Sequence, residues 1–211
     1  MAPLILVTGF EPFGGWTINP SWELARALAA ERPEVVMAAC LPVSWEEVGR
    51  ELRRLLKEHR PRAVVCLGQA VRPALALERV GVNWARGRDQ RNREGGDRPL
   101  IPDGPDAYLS TLPLSRMREA CRTRGVPCYI SNSAGTYLCN AAAYLVRHYL
   151  QLEGRSATPA GFIHVPLFPE QAADPPSGHA GQLPPPSMDR NTQLKGLLAC
   201  LDALLEGEPD G

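Results

Sequence analysis

Short apolar runs alternate along the chain with longer segments of helical periodicity. Leu4 to Thr8 is apolar without interruption, the pattern of a strand covered on both faces of a parallel sheet. Val35–Leu41, Arg62–Leu67, Ala74–Val82, Pro127–Ile130 and Gly161–Val165 read as further strands. Between them, Asn19 is placed to cap a helix that starts at Pro20 and runs to about Glu31. Ser44-Trp45-Glu46-Glu47 has the form of a capping box opening a helix to about His59. Leu138, Ala142, Leu145 and Tyr149 recur at spacings of three and four, which predicts a helix over Tyr137–Leu152. Helices are also expected from Pro113 to about Arg124 and from Asp189 to about Leu205. Gly9–Ile18, Trp84–Asp106 and the proline-dense Phe168–Met188 read as loops, and Glu206–Gly211 as a frayed tail.

Strands alternating with helices imply a three-layer α/β/α sandwich around a mainly parallel, twisted central sheet, with residues 1–211 forming one domain. Ligands of such folds collect beyond the carboxyl ends of the strands. Here those ends are Thr8-Gly9-Phe10, Gly68-Gln69, Ser131-Asn132 and His164-Val165-Pro166.

Composition narrows the classes of partner. The 211 residues are 44% apolar and 22% charged, an ordinary balance for a globular chain that can bury a core. Acidic and basic residues number 23 each, so no general electrostatic attraction to nucleic acid or a membrane surface is expected. No apolar run approaches the ~20 residues of a membrane helix. The N-terminus has no basic lead before its first Gly and Pro, so no secretory signal is expected. Six cysteines without such a signal suggest free thiols in a reducing cytoplasm, and no CxxC or CxxH pair suggests zinc. No cofactor is implied.

Candidate chemistry centres on Cys139, just inside the start of the Tyr137–Leu152 helix. Free N–H groups and the positive dipole end favour a thiolate there and could receive an oxyanion. A buried structural cysteine is the plainer alternative. A base would decide between them, and His164 lies in an apolar strand ending on the same rim; a histidine in such a strand is otherwise a core residue. A third group must hold the imidazole's tautomer. Glu78, after Ala74-Leu75-Ala76-Leu77, is the best-placed acid, unless it only pairs with Arg79 or another arginine. The same reasoning predicts that iodoacetamide modifies Cys139 ahead of Cys40, Cys66, Cys121, Cys128 and Cys200.

The segments GFEPFGG (9–15), NPS (19–21), CLGQA (66–70), ERVGVN (78–83), SNSAGTYLCN (131–140) and GFIHVP (161–166) resemble, in order and over most of the chain, the type I pyroglutamyl peptidases. The resemblance implies an α/β/α cytosolic cysteine peptidase that hydrolyses the amide after an N-terminal L-pyroglutamyl residue through a thioester. It implies Cys139 as nucleophile, His164 as general base and acid, and Glu78 as the group orienting it. Phe10 and Phe13 match the aromatic clasp of the lactam ring, although either could be a loop hydrophobe packed on the core. Leu138 is expected as another apolar wall, and backbone groups near Gln69 and Val71 as lactam partners, with Gln69 also shaping the oxyanion region. The family often forms tetramers, so a homo-oligomer is expected.

The chain departs from the family between Trp84 and Asn92, where an Ala-Arg-Ile-Pro-Asp-Asn pattern is replaced by a far more basic run. The family arginine near the active site aligns best with Arg88, Arg86 being the other choice. Two other classes compete: a nucleoside phosphorylase-like enzyme, for which Gly9, Gly14 and Gly15 form no phosphate loop, and a silent protein that binds pyroglutamate without turnover.

Overall fold

The computed structural model describes residues 4–176 and 183–206. Six strands form the central sheet: β1 (Ile5–Phe10), β2 (Val36–Leu41), β3 (Ala63–Gln69), β4 (Leu75–Glu78), β7 (Cys128–Ser131) and β8 (Ala160–Val165). Their order is β2-β1-β3-β8-β4-β7. The neighbours β2, β1, β3 and β8 run parallel; β4 is antiparallel to β8 and parallel to β7. Two short strands, β5 (Val80–Val82) and β6 (Ala107–Leu109), make a separate antiparallel ribbon.

Side chains of a strand alternate between faces, and the inner strands use this to build two cores. Ile5, Val7, Val65, Leu67, Leu75, Leu77, Ile163 and Val165 face one way, toward α1 (Pro20–Glu31), α3 (Leu114–Thr123) and α6 (Arg190–Leu205). Leu6, Val64, Cys66, Ala160 and Phe162 face the other way, toward α2 (Val48–His59) and α4 (Leu138–Leu152). This is the three-layer α/β/α sandwich that the alternation predicted. No helix among the described residues is long and apolar enough to cross a membrane.

Four local expectations change. The first strand runs on to Phe10 rather than turning at Gly9. The second helix begins at Val48: Ser44 O accepts the Glu47 and Val48 amides, Ser44 Oγ has no partner among the described residues, and Glu47 reaches Arg50 and Arg91, so no capping box forms. The run Ala74–Val82 is two strands. After Glu78 the Arg79 amide donates to Ser131 O, and the chain leaves the sheet to lie as β5 on α4. There Gly81 sits so close that a Cβ would come within 2.6 Å of the Tyr144 amide nitrogen. Finally, a short helix α5 (Pro169–Ala173) interrupts Phe168–Met188, because the Gln171 carboxamide accepts the Phe168 amide and starts a turn. Residues 177–182 of that loop and 207–211 of the expected tail lie outside the described residues.

Asn140 fixes the start of α4 against this ribbon. Its fully buried carboxamide accepts the Val82 amide at 2.8 Å and donates to Val82 O at 2.9 Å and Trp84 O at 3.0 Å. Asn140→Ala strands those three backbone groups and is expected to destabilise the fold by about 3 kcal/mol. Urea unfolding measures it; a loss below about 1 kcal/mol would show that water replaces the carboxamide.

Candidate active site

The alternation that builds the two cores also delivers the functional side chains to one face. His164 shares the parity of Ala160 and Phe162 and so faces α4, as do Glu78 from β4 and Gly68 from β3. In the β4–β8 register, Ala76 lies opposite His164 and Glu78 opposite Phe162, which makes Glu78 and His164 diagonal neighbours. Across the parallel edge, Gly68 is level with His164. A Cβ at 68 would come within 2.7 Å of Cys139 Sγ, so the thiol of α4 rests over a position that has room only for glycine.

The pairing is direct. His164 Nδ1 lies 2.7 Å from Glu78 Oε1. A carboxylate only accepts, so Nδ1 carries the proton and Nε2 keeps its lone pair for the cavity. Glu78 is fully buried, and its Oε1 also receives Arg72 Nη1 at 3.2 Å; among the described residues Oε2 has no hydrogen-bond partner. The His164 ring packs edge-on against Phe162 at 4.9 Å between centroids.

Cys139 and His164 line one cavity of about 270 Å³ with Phe13, Trp16, Gln69, Ala70, Val71, Ala134 and Tyr137. At its inner end α4 begins: its first helical bond joins the Ala141 amide to Tyr137 O at 3.0 Å, and Tyr137 supplies no side-chain cap. The amides of Leu138, Cys139 and Asn140 therefore precede the bonded ladder.

Burial governs the charge state here. It pushes the Cys139 thiol up to about 12, with the Glu78 carboxylate adding to the rise; Arg72 and the residue's own amide oppose it. The helix start acts in the expected direction, but desolvation outweighs it. His164 is held below its ordinary value, again chiefly by burial, and its hydrogen bond to Glu78 restores only part of that. Near pH 7 the resting pair is thus neutral thiol and neutral imidazole. The expected order of alkylation loses its basis, because Cys40 is exposed and its thiol, at about 11, lies no higher than that of Cys139.

A family model described as pyroglutamyl peptidase matches residues 4–207. The chain belongs to the pyroglutamyl peptidase family. It is 44% identical over 200 residues to a pyrrolidone-carboxylate peptidase of Streptomyces coelicolor, covering 92% of this chain and 90% of that one. It is 40% identical over 206 residues to the enzyme of that name from Thermococcus kodakarensis, covering 96% of each. The pyrrolidone carboxyl peptidase of Thermococcus litoralis superposes with a TM-score of 0.88 at 34% identity, over 97% of this chain and 94% of that one. A mutant pyrrolidone carboxyl peptidase from Pyrococcus furiosus gives 0.88 at 37% identity, over 96% and 98%. The phosphorylase-like alternative falls with these matches.

In this member of the pyroglutamyl peptidase family, Cys139, His164, Phe13, Gln69 and Val71 meet at the cavity, with Glu78 directly behind His164. Phe10 and Leu138 are 2% exposed and lie in the α4-side core, not in the cavity wall. The Gln69 carboxamide oxygen accepts from Gln171 of α5 at 3.1 Å. Arg88 borders an adjoining cavity of about 280 Å³, with Phe13 and Tyr137 common to both, and its side chain is held by Glu94 and Asn92 at 2.8 Å. Arg86 is exposed and enters no such wall. Trp16, Ala134, Tyr137, Gln171 and Arg72 went unread in the sequence. The sequence allows Arg79 or another arginine as the partner of Glu78; Arg72 is the one that meets the carboxylate, and Arg79 is exposed.

With both groups neutral at rest, thiolate arises only as pH climbs toward the thiol's raised value. Iodoacetamide modification of Cys139 in the substrate-free protein is expected to accelerate roughly tenfold per pH unit from about pH 6 to about pH 9. Peptide mapping at each pH follows it; a plateau beginning near about pH 5 would reveal a preformed thiolate–imidazolium pair instead.

Proposed function

We propose that this chain is a cysteine exopeptidase that hydrolyses the amide after an N-terminal L-pyroglutamyl residue, with Cys139, His164 and Glu78 as its catalytic triad. The observation that carries the reading is the buried 2.7 Å bond from His164 Nδ1 to Glu78, on the ring whose other nitrogen serves the cavity of Cys139.

The reaction follows from the neutral pair. Nε2 takes the thiol proton as Sγ attacks the carbonyl carbon, and the Nδ1–H bond to Glu78 stabilises the imidazolium that forms. The oxyanion is received by the unladdered amides at the start of α4. The tetrahedral intermediate collapses to a thioester as Nε2–H protonates the departing amine. Water, deprotonated by Nε2, then attacks the thioester and releases pyroglutamate, and the thiolate regains its proton.

The substrate is a flat, uncharged lactam, which suits walls of Phe13, Trp16, Val71 and Tyr137 around few polar groups. Gln69 and the backbone beside Val71 are the proposed lactam partners, Phe13 its aromatic wall, and Phe10 and Leu138 the support beneath. Arg88 is proposed to border the leaving peptide rather than the ring. The resemblance further supports a single domain, a cytoplasmic site of action and assembly of several copies, with neither nucleic acid nor membrane as partner.

Release of a fluorescent amine from an L-pyroglutamyl amide, beside the alanyl amide, tests the reading. Wild type is expected to turn over the pyroglutamyl amide alone, and Cys139→Ser to lose ~10³-fold or more of that rate. Absence of turnover by wild type in reducing buffer would refute it.

A further inference from the structure

The buried Glu78 carboxylate raises a question of charge. His164 beside it is neutral at rest, so it supplies a hydrogen bond but no counter-charge, and an unpaired buried anion is costly. His164 from β8 and Arg72 from the β3–β4 connection meet the Glu78 carboxylate, and Cys139 of α4 feels its charge; Cys66 of β3 adjoins Cys139, and Tyr129 of β7 meets Arg72. Among the described residues, Arg72 is the cation that meets the carboxylate, at 3.2 Å. Arg79, its neighbour in sequence, points out to solvent.

Arg72 is also held from the other side. Its guanidinium donates to Tyr129 Oη at 2.8 Å and Ser131 Oγ at 3.1 Å, both on β7, and to Ser133 O at 3.1 Å. Ser133 lies in the turn between β7 and α4, the segment that brings the chain to Cys139. One planar fork thus joins the acid behind the imidazole to the backbone that aims the thiol, a geometry that lysine's single ammonium cannot copy. Arg72 is not among the residues lining the cavity.

We propose that Arg72 is a positioning residue of the pyroglutamyl peptidase reaction, neutralising the buried Glu78 carboxylate and fixing the turn that delivers Cys139. The proposal rests on the peptidase reading given above. It has a sign that a merely structural role lacks. The cation disfavours protonation of His164 and favours the thiolate of Cys139. Removing it therefore lets His164 take up a proton at higher pH and makes Cys139 harder to ionise.

Arg72→Met and Arg72→Lys, with folding checked by urea unfolding, test this in the intact chain. For Arg72→Met the acid limb of kcat/KM and the alkylation profile of Cys139 should both move up by about one pH unit, so that alkylation at a fixed pH slows about tenfold. Its kcat on the pyroglutamyl amide should fall ~100-fold while KM stays within about twofold. Arg72→Lys keeps the charge and loses the fork: its pH curves should stay near wild type while kcat falls about tenfold. A folded Arg72→Met whose acid limb and alkylation profile coincide with wild type would overturn the proposal. If Arg72→Met does not fold, Arg72→Lys decides, and wild-type kcat in that variant would overturn it. Alkylation needs no substrate, so a wild type inactive on pyroglutamyl amides would refute the peptidase reading, while the alkylation shift would still support the hold of Arg72 on Cys139.

Discussion

A carboxylate buried at the end of an antiparallel strand sets the terms for the whole site. Glu78 stands on β4 with no exposed side-chain surface, bonded to His164 and to Arg72 through the same oxygen. In a medium of low dielectric such a bond is strong when complete and costly when broken, so the surrounding elements must agree on one geometry. They do so through register: β4 enters the sheet between β7 and β8, against the direction of β8, and places Glu78 diagonal to His164. Gly68 on the far side of β8 then leaves room for Sγ, and β7 ends in the turn that leads to α4.

The same burial that makes the bond strong keeps the reacting groups neutral. A thiol at about 12 and an imidazole below its ordinary value do not exchange a proton at rest. In the proposed reaction, charge separation is deferred to the moment of attack, when the oxyanion forms against the start of α4 and the imidazolium against Glu78. A site of this kind protects its thiol from adventitious alkylation near neutrality. The helix start contributes where charge develops, in the transition state, more than in the resting enzyme.

The proposed specificity for a lactam has a different physical origin. The cavity is walled by aromatic and aliphatic groups from four separate segments, and its fixed polar lining groups are few. Asn140 anchors the ribbon of β5 and β6 onto α4, and the arginine-rich segment between them is tied back through Tyr137 Oη to Arg88 O at 3.0 Å. Two of its basic residues are paired with acids, Arg88 with Glu94 inside the segment and Arg91 with Glu47 at the start of α2.

The chain by itself determined a good deal: alternating runs and helical spacings set the layered α/β/α fold, a helix start singled out Cys139, and apolar strands singled out His164 and Glu78. These are local properties, legible because hydrophobic periodicity and strand termini repeat along the backbone. Tertiary structure alone decided which arginine meets Glu78: Arg79 adjoins it in sequence and Arg72 lies six residues before it, yet it is Arg72 that reaches the carboxylate while Arg79 is exposed. It decided that Ala74–Val82 divides between two sheets, because packing of Gly81 on α4 has no local signature. It also decided that Phe13 reaches the cavity while Phe10, three residues earlier, closes the core, for β1 continues through Phe10 and strand parity sends its ring inward. And it decided the charge of the thiol, because desolvation depends on everything packed around Sγ, whereas the helix start that favours thiolate is written in a few consecutive residues.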